Sequence, residues 1–403
     1  MTTSGLACPA CGTAAEIMPF YEQPDIPVNS CLLVDDEQTA VGFPRGDLEL
    51  VLCPSCGFVF NGRFDPALTA YSPDYEETQG FSGVFRGFIG ELAERWVKTY
   101  DLVGKTVVEL GCGKGEFLVE MVRAGAGRGV GVDPGIHPER IPADVADRID
   151  CVRGFFPADY PGATVLDADA VVCRHTLEHI APVGEWMRSI RAAIGDRTST
   201  PVLFELPDTR RVLAEGAFWD VYYEHCSYFT AGSLARLFRA TGFEVLDVWR
   251  AYDDQYLIIE ARPSDLPAPG TPLPIEADQD ELATTTAEFG RSQAAVINRW
   301  RRRLRDVATR GIADGTTVLW GSGSKAVAFL AALGDDAALV HAAVDINPYK
   351  HGKYMAGTGH RILAPDELID VSPDLVVVMN AAYRDEIQAD LDRLGIAVAL
   401  EVL

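Results

Sequence analysis

The sequence lacks several features that would each define a class of protein. It has no apolar run of 18 residues, which argues against a membrane-spanning helix. Its first residues carry neither the basic nor the apolar region of a signal peptide, so we expect a cytoplasmic protein with reduced thiols. Basic residues are scarce, because 35 lysines and arginines stand against 59 acidic residues and give a net charge of −24. A nucleic-acid partner is therefore not expected.

The sequence has enough hydrophobic residues to form the cores of several packed domains. The chain has 403 residues, of which 48% are hydrophobic. At roughly 150 residues per domain, this length predicts two or three domains. The strong acidic balance still allows an anionic small molecule, since a few local cations can make a positive pocket inside an acidic surface.

Nine cysteines need an explanation other than disulfides, and four of them form two matching pairs. Each pair has the form Cys-Pro-x-Cys-Gly, at residues 8–12 and 53–57. Such turns direct two thiolates to one point, and two turns supply the four soft ligands of a tetrahedral Zn²⁺ ion. Short strands are expected between the pairs, near 28–33 and 48–52. Two unconnected turns are the alternative to a structural zinc site held by Cys8, Cys11, Cys53 and Cys56.

A glycine-rich loop follows a short apolar strand in the middle of the chain. It reads Glu-Leu-Gly-Cys-Gly-Lys-Gly over residues 109–115, and an apolar helix and a second strand follow it. A strand, a glycine-rich loop and a helix open a doubly wound α/β domain. The spacing differs from the G-x-G-x-x-G form of dinucleotide sites and resembles motif I of class I S-adenosylmethionine-dependent methyltransferases. The expected donor-binding residues are Glu109, Gly111, Cys112, Gly113, Gly115, Asp133 and Pro134.

Two histidines follow a later strand, at the edge where ligands of an open α/β sheet bind. They are His175 and His179, in the segment Arg-His-Thr-Leu-Glu-His. If this segment is helical, the two rings lie one turn apart on one face. We expect His175 to lie in the donor site and His179 to form active-site hydrogen bonds. A metal pair is an alternative.

An aromatic run surrounds a Glu-His pair before the next predicted helix. It contains Tyr222, Tyr223, Glu224 and His225. Methylation of carbon next to a carbonyl needs a base for the C–H proton and a donor for the enolate oxygen. We expect His225 to be the base and Glu224 to assist it or to hold the substrate. Tyr222 and Tyr223 can polarise a ketone, and a purely structural aromatic loop is the alternative.

A second glycine-rich loop lies near the end of the chain, beyond five prolines at 263–274 and a long helix predicted over 281–309. The loop Gly-x-Gly-x-x-Ala at 321–326 follows a predicted strand, and Asp345 comes 24 residues after its first glycine. Taken alone, this pattern is a dinucleotide fingerprint. A substrate-binding domain is the preferred interpretation, and a scaffold without a ligand is the next alternative.

Taken in order, these motifs resemble the zinc-containing, S-adenosylmethionine-dependent deoxysugar C-methyltransferases of antibiotic pathways, over nearly the whole chain. The resemblance implies a nucleotide-linked 4-keto-6-deoxysugar as acceptor and His225 as the base. It also implies that Glu224 and His225 border the sugar, that His179 corresponds to the histidine of the family's T-x-x-H-I segment, and that the C-terminal domain holds part of the sugar nucleotide. The segment before motif I departs from the family, since residues 79–82 read Gln-Gly-Phe-Ser. The expected substrate-binding residues are Tyr75, Gly323, Ser324, Lys325 and Lys350.

The prediction is therefore an α/β enzyme with a class I methyltransferase core. Its expected parts are a zinc-binding domain at 1–65, a methyltransferase domain at 66–262, a proline-rich linker with a long helix at 263–310, and a Rossmann-like domain at 311–403. The expected partners are S-adenosylmethionine, structural zinc and a small-molecule acceptor. The alternatives are an O- or N-methyltransferase, a non-catalytic ligand sensor and an NAD oxidoreductase. The oligomeric state, monomer or dimer, is left open.

Overall fold

A computed structural model describes residues 6–14, 17–69, 75–160, 166–266, 270–309 and 315–403. The strands are β1 (Met18–Pro27), β2 (Arg45–Leu52), β3 (Val59–Asn61), β4 (Thr106–Leu110), β5 (Arg128–Val132), β6 (Ile149–Val152), β7 (Ala170–Arg174), β8 (Val202–Pro207), β9 (Ser227–Tyr228), β10 (Phe243–Ala251), β11 (Tyr256–Pro263), β12 (Thr317–Trp320), β13 (Val340–Val344), β14 (Ile362–Leu363), β15 (Leu375–Val378) and β16 (Ala399–Val402). The α-helices are α1 (Glu37–Val41), α2 (Gly83–Thr99), α3 (Glu116–Arg123), α4 (Val183–Ile194), α5 (Thr209–Glu215), α6 (Ala231–Ala240), α7 (Gln279–Ala308), α8 (Ser324–Leu333), α9 (Leu368–Val371) and α10 (Arg384–Leu394).

A seven-stranded sheet forms the middle of the molecule, in the order β10-β11-β8-β7-β4-β5-β6. The strands from β8 to β6 are parallel, and β11 and β10 extend the sheet as an antiparallel hairpin. Helices cover both faces, which explains the nearly continuous apolar runs of the inner strands. Val108 and Val171 pack with residues of α4 and α6, whereas Val107 and Val172 pack with residues of α2 and α3. The predicted doubly wound α/β core is confirmed.

A second parallel sheet lies near the C-terminus, in the order β14-β13-β12-β15-β16. Its central strands are short and apolar, and α8 and α10 supply buried side chains to its two faces. The loop from β12 to α8 contains the second glycine motif, so this motif occupies the position that it has in Rossmann-like domains.

The N-terminal region forms a four-stranded antiparallel sheet, in the order β1-β2-β3-β9. The predicted strand at 48–52 lies within β2, but the strand expected at 28–33 is wrong. Pro27 ends β1, and Asn29 Oδ1 then accepts hydrogen bonds from the amides of Cys31 and Leu32, both at 3.2 Å. This turn uses amides that a strand would have given to a neighbour. Because β9 comes from residues 227–228, the sheet also joins the N-terminal region to the central domain.

The long helix α7 packs on both the N-terminal sheet and the C-terminal domain. Its Phe289 packs edge-to-face on Tyr21 of β1 at 5.1 Å, and its Trp300 packs on Phe329 of α8 at 5.6 Å. Part of the proline-rich linker, 267–269, lies outside the described residues. Among the helices in the described ranges, none has the length and apolar character that crossing a membrane requires.

Candidate active site

A cleft of about 590 Å³ opens where the strand ends of the two parallel sheets face each other. The residues after β4, β5 and β7 line one side, and those after β12, β13 and β15 line the other. This edge is where open α/β sheets bind ligands, and the volume is within the range of small-molecule sites. Asn29 and Cys31 of the N-terminal region complete the lining.

The glycine-rich loop after β4 is shaped by close backbone approach. Gly111 has a φ of +70°, and a Cβ there would collide with the side chain of Thr176. Asp133, which follows β5, accepts hydrogen bonds from Gly113 N at 3.0 Å and from Gly135 N at 2.7 Å. Its carboxylate therefore holds the loop while lining the cleft. Of the predicted donor-site residues, the cleft is lined by Glu109, Gly111, Cys112, Gly113, Asp133, Pro134 and His175, whereas Gly115 is the N-cap of α3 and does not line it.

Glu109 is a buried acid at the donor side of the cleft. Its Oε2 has no hydrogen-bond partner among the described residues. Burial raises the pKa of Glu109 to about 8, although Arg174 opposes this shift. A cationic ligand would stabilise the carboxylate form of Glu109, which burial disfavours.

A buried charge network lies beside Glu109, at the ends of β7 and β8. Arg174 donates to both carboxylate oxygens of Glu205, at 2.6 and 3.2 Å. His175 Nε2 lies 2.8 Å from Glu205 Oε1, and His175 Nδ1 lies 3.4 Å from Glu178 Oε1. Burial opposes the charge of His175, but Glu178 and Glu205 outweigh burial and raise its pKa to about 9. His175 therefore lies in the cleft as part of a structural ion network.

The segment between the two histidines is not an α-helix. His175 has a left-handed φ of +47°, and a single 3₁₀ turn follows at Leu177–His179. The expected pairing of His175 and His179 on one helical face is therefore wrong. His179 instead meets His225 edge to face, with ring centroids 4.7 Å apart.

His225 lies in the cleft between His179 and Tyr222, whose ring centroid is 4.6 Å away. Burial lowers the pKa of His225 well below its usual range, and the neighbouring His179 adds to this shift. A neutral imidazole near pH 7 has a free lone pair, which is the state that a general base needs. Among the described residues, neither His179 nor His225 forms a hydrogen bond that would occupy its ring nitrogens.

Glu224 is buried beside this histidine pair. Its Oε1 accepts from Ser30 N at 3.1 Å and from the Ser30 hydroxyl, and its Oε2 accepts from Tyr75 Oη at 3.3 Å. Burial raises the pKa of Glu224, and His179 opposes that shift. The N-terminal region thus orients an acid of the cleft, and the predicted residue Tyr75 lies in direct contact with it.

The two adjacent tyrosines have different surroundings. Tyr222 lines the cleft and donates to Asp220 Oδ1 at 2.9 Å. Tyr223 lies outside the cleft, where its hydroxyl accepts from Asp65 N at 2.9 Å. We therefore keep Tyr222 among the candidate catalytic groups and assign Tyr223 to the packing of the N-terminal sheet.

The predicted lysines of the C-terminal domain line the cleft, and each has an acidic partner. Lys325 forms an ion pair with Asp220, and Lys350 Nζ lies 3.5 Å from Asp345 Oδ2. Burial disfavours the charge of Asp220, but Lys325 and Arg211 outweigh burial and lower its pKa to about 2. Gly323 and Ser324 also line the cleft, and Ser324 Oγ lies 2.7 Å from Ser30 Oγ.

The carboxylate of Asp345 is already used within the C-terminal domain. It accepts from Ser322 N at 2.9 Å, from Ser322 Oγ at 2.6 Å and from Asn347 N at 2.9 Å. A dinucleotide site would use this carboxylate for ribose hydroxyls. The geometry therefore favours a role for Asp345 in shaping the loop rather than in binding NAD.

The four paired cysteines come together at one point, near the end of β2. Cys8 Sγ lies 3.7 Å from Cys56 Sγ, and Cys11 Sγ lies 3.8 Å from Cys53 Sγ. Tetrahedral Zn²⁺ with Zn–S bonds of about 2.3 Å places sulfurs roughly 3.8 Å apart. The cluster fits a metal ion with four thiolate ligands.

Several cleft residues were missed by reasoning from the sequence. Arg174 directly precedes His175 and Asp220 lies two residues before Tyr222, but their ion-pair partners Glu205 and Lys325 are distant in the chain. Ser30 and Glu77 carry no local signal, and only the folded chain brings them to the cleft or to its acids.

The chain is similar in sequence to known methyltransferases. Residues 85–248 match the methyltransferase domain family, and residues 273–396 match the C-methyltransferase C-terminal domain family. The chain is 26% identical over 364 residues to the C-methyltransferase NovU of Streptomyces niveus, covering 88% of this chain and 85% of that protein. It is also 33% identical over 103 residues to the ribosomal protein L11 methyltransferase of Escherichia coli, covering 23% of this chain and 33% of that protein. Among solved structures, 1,6-didemethyltoxoflavin-N1-methyltransferase of Burkholderia thailandensis has 18% identity and a TM-score of 0.36, covering 52% of this chain and 96% of that chain.

Proposed function

We propose that this chain is an S-adenosylmethionine-dependent C-methyltransferase that methylates a carbon next to the ketone of a nucleotide-linked keto-deoxysugar. The observation that carries this proposal is the placement of His225 in the cleft between the donor loop and the C-terminal domain. Its ring lies against His179 and Tyr222, and in the part of the chain that the structure describes no hydrogen bond uses its lone pair.

The proposed reaction has two steps. His225 takes the proton from the carbon next to the ketone, and the electron pair of the broken C–H bond moves to the ketone oxygen. His179 is the best placed donor for that oxygen, because Tyr222 already donates to Asp220. Bound S-adenosylmethionine supplies an electrophilic methyl group. The enolate carbon then forms the new C–C bond as the donor C–S bond breaks, which leaves S-adenosylhomocysteine.

The acceptor is proposed to lie across the two domains, with its diphosphate near Lys325, Lys350 and the start of α8. Backbone N–H groups at a helix N-terminus favour anions, and both lysines line the cleft. Each lysine has an acidic partner, so the diphosphate would share these cations with Asp220 and Asp345. We further propose that Zn²⁺ occupies the four-cysteine site and holds the turn before β3 in place. The sulfur separations given above support this proposal.

The test is hydrogen exchange without methyl transfer. The enzyme is incubated in D₂O with a nucleotide-linked keto-deoxysugar and S-adenosylhomocysteine, and deuterium at the acceptor carbon is measured by mass spectrometry. We expect exchange with the wild type and with Tyr223→Phe, and a loss of at least 100-fold with His225→Gln. S-adenosylhomocysteine binding by each variant confirms that the donor site is intact. A methylated product without any such exchange, or with its methyl group on oxygen or nitrogen, would refute the carbon mechanism.

A further inference from the structure

Three side chains at the acceptor side of the cleft form a cluster that the proposed reaction does not fully use. The ligand-type atoms of Glu178, His179 and His225 all lie within 4.8 Å of one another. Glu178 is buried, and its Oε2 has no hydrogen-bond partner in the described part of the chain. Burying a carboxylate oxygen without a partner costs free energy. A cation bound to Glu178 Oε2 would offset that cost.

The surroundings hold this carboxylate in place. His175 Nδ1 lies 3.4 Å from Glu178 Oε1, and the other ring nitrogen of His175 lies 2.8 Å from Glu205. One oxygen of Glu178 is therefore fixed by a neighbour while the other remains available. Contacts of this kind commonly orient the carboxylate ligands of metal ions.

We propose that Glu178, His179 and His225 form a second metal site, distinct from the four cysteines, that takes Zn²⁺ or a similar divalent transition-metal ion. Two imidazoles and one carboxylate are a common ligand set, and three protein ligands leave a position open for water or for the acceptor. Bonds of about 2.1 Å place ligand atoms roughly 3.4 Å apart in a tetrahedral site, so modest side-chain rotations suffice.

This site differs from the pair that the sequence suggested. His175 belongs to the surrounding ion network, and its place as a ligand is taken by His225, which lies 46 residues further along the chain from His179. Only the edge-to-face packing of the two rings brings their nitrogens to Glu178.

Metal binding has a consequence that rests on the proposed function. A metal ion bound to His225 uses the lone pair that the base needs, so binding and proton removal exclude each other. Excess Zn²⁺ therefore inhibits the enzyme, and a chelator that spares the four-cysteine ion restores it.

The experiment uses the full chain with its four-cysteine site loaded with zinc. Equilibrium dialysis against added Co²⁺ measures whether a second metal ion binds per chain. The absorption spectrum of the bound Co²⁺ identifies its ligands, because nitrogen and oxygen ligands give no thiolate charge-transfer band. The test variants are His179→Gln and Glu178→Gln. The matched control is His137→Gln, which removes a histidine that contacts Glu139 away from this cluster.

We expect the wild type and His137→Gln to bind the second equivalent with a spectrum free of charge-transfer bands, and each test variant to bind it at least tenfold more weakly. S-adenosylhomocysteine binding shows that the variants are folded. A wild type that binds only one metal ion in total, or variants that bind the second ion unchanged, would overturn the proposal. Binding is scored without any acceptor, so its failure is distinguishable from failure of the proposed methylation.

Discussion

Binding of the methyl donor should depend on pH through Glu109. Burial raises the pKa of this carboxyl to about 8, so in the free protein about 1% of it is ionised at pH 6 and about 9% at pH 7. A bound cation favours the ionised form, so binding releases a proton and strengthens as pH rises. From pH 6 to pH 7 the dissociation constant should fall about ninefold, which corresponds to roughly 1.3 kcal/mol.

The assay is isothermal titration calorimetry with S-adenosylmethionine, in two buffers of different ionisation enthalpy. We expect release of roughly 0.9 proton per donor at pH 7 from Glu109. Burial raises the pKa of Glu77 to about 7, although Lys114 opposes this shift, so Glu77 titrates in the same pH range. The variant Glu77→Gln therefore separates the contribution of Glu77 from that of Glu109. Glu120→Gln on α3, away from the cleft, is the matched control.

The variant Glu109→Gln tests whether Glu109 causes the pH dependence of donor binding. This variant should retain the part of the pH dependence that belongs to Glu77 and lose the rest, because its amide does not titrate. Two results would show that Glu109 does not meet the charge of the donor. One is a ninefold change in the dissociation constant from pH 6 to pH 7 that persists in Glu109→Gln, and the other is a wild-type dissociation constant that does not change over this range.

Three further outcomes follow from the structure. Arg174→Met should destabilise the fold by about 3–5 kcal/mol in urea unfolding, since it leaves Glu205 buried without its main partner, and a cost below about 1 kcal/mol would contradict this. Cys53→Ser should lose the zinc ion measured by elemental analysis, whereas Cys31→Ser should keep it. Gly111→Ala should weaken donor binding more than tenfold, because its Cβ would meet Thr176; Gly87→Ala on α2, where a Cβ meets nothing within 4 Å, should not.

Local patterns were sufficient to predict most of the fold. The strand, the glycine-rich loop at 109–115 and the helix that follows it have the predicted order, and the helix predicted over 281–309 is α7, because apolar periodicity and glycine position depend on neighbours in the chain. The strand expected at 28–33 failed because the Asn29 side chain competes for backbone amides, which is an effect that apolar patterning does not register. The helical pairing of His175 and His179 failed because His175 adopts a left-handed conformation that no spacing rule requires.

The candidate site depended more on contacts between distant segments. Its histidines, its tyrosines and its donor loop were visible as residue types with known chemistry, and all of them except Tyr223 and Gly115 line the cleft. Their partners were not visible, because Ser30 reaches Glu224 and Lys325 reaches Asp220 from segments about 200 and 100 residues away in sequence. Only the fold separates Tyr222, which lines the cleft, from Tyr223, which packs in the N-terminal sheet, since adjacent residues share the same sequence signal.

The sequence by itself determined the class of the protein: two cysteine pairs, a donor loop and a second glycine-rich loop, in one order, on an acidic chain. These are local features, and each depends on residues that lie close together in the chain. The tertiary structure alone decided which charges are paired, which acids are buried enough to change their pKa, and which histidines meet. Those properties depend on desolvation and on distances between segments that only the folded chain brings together.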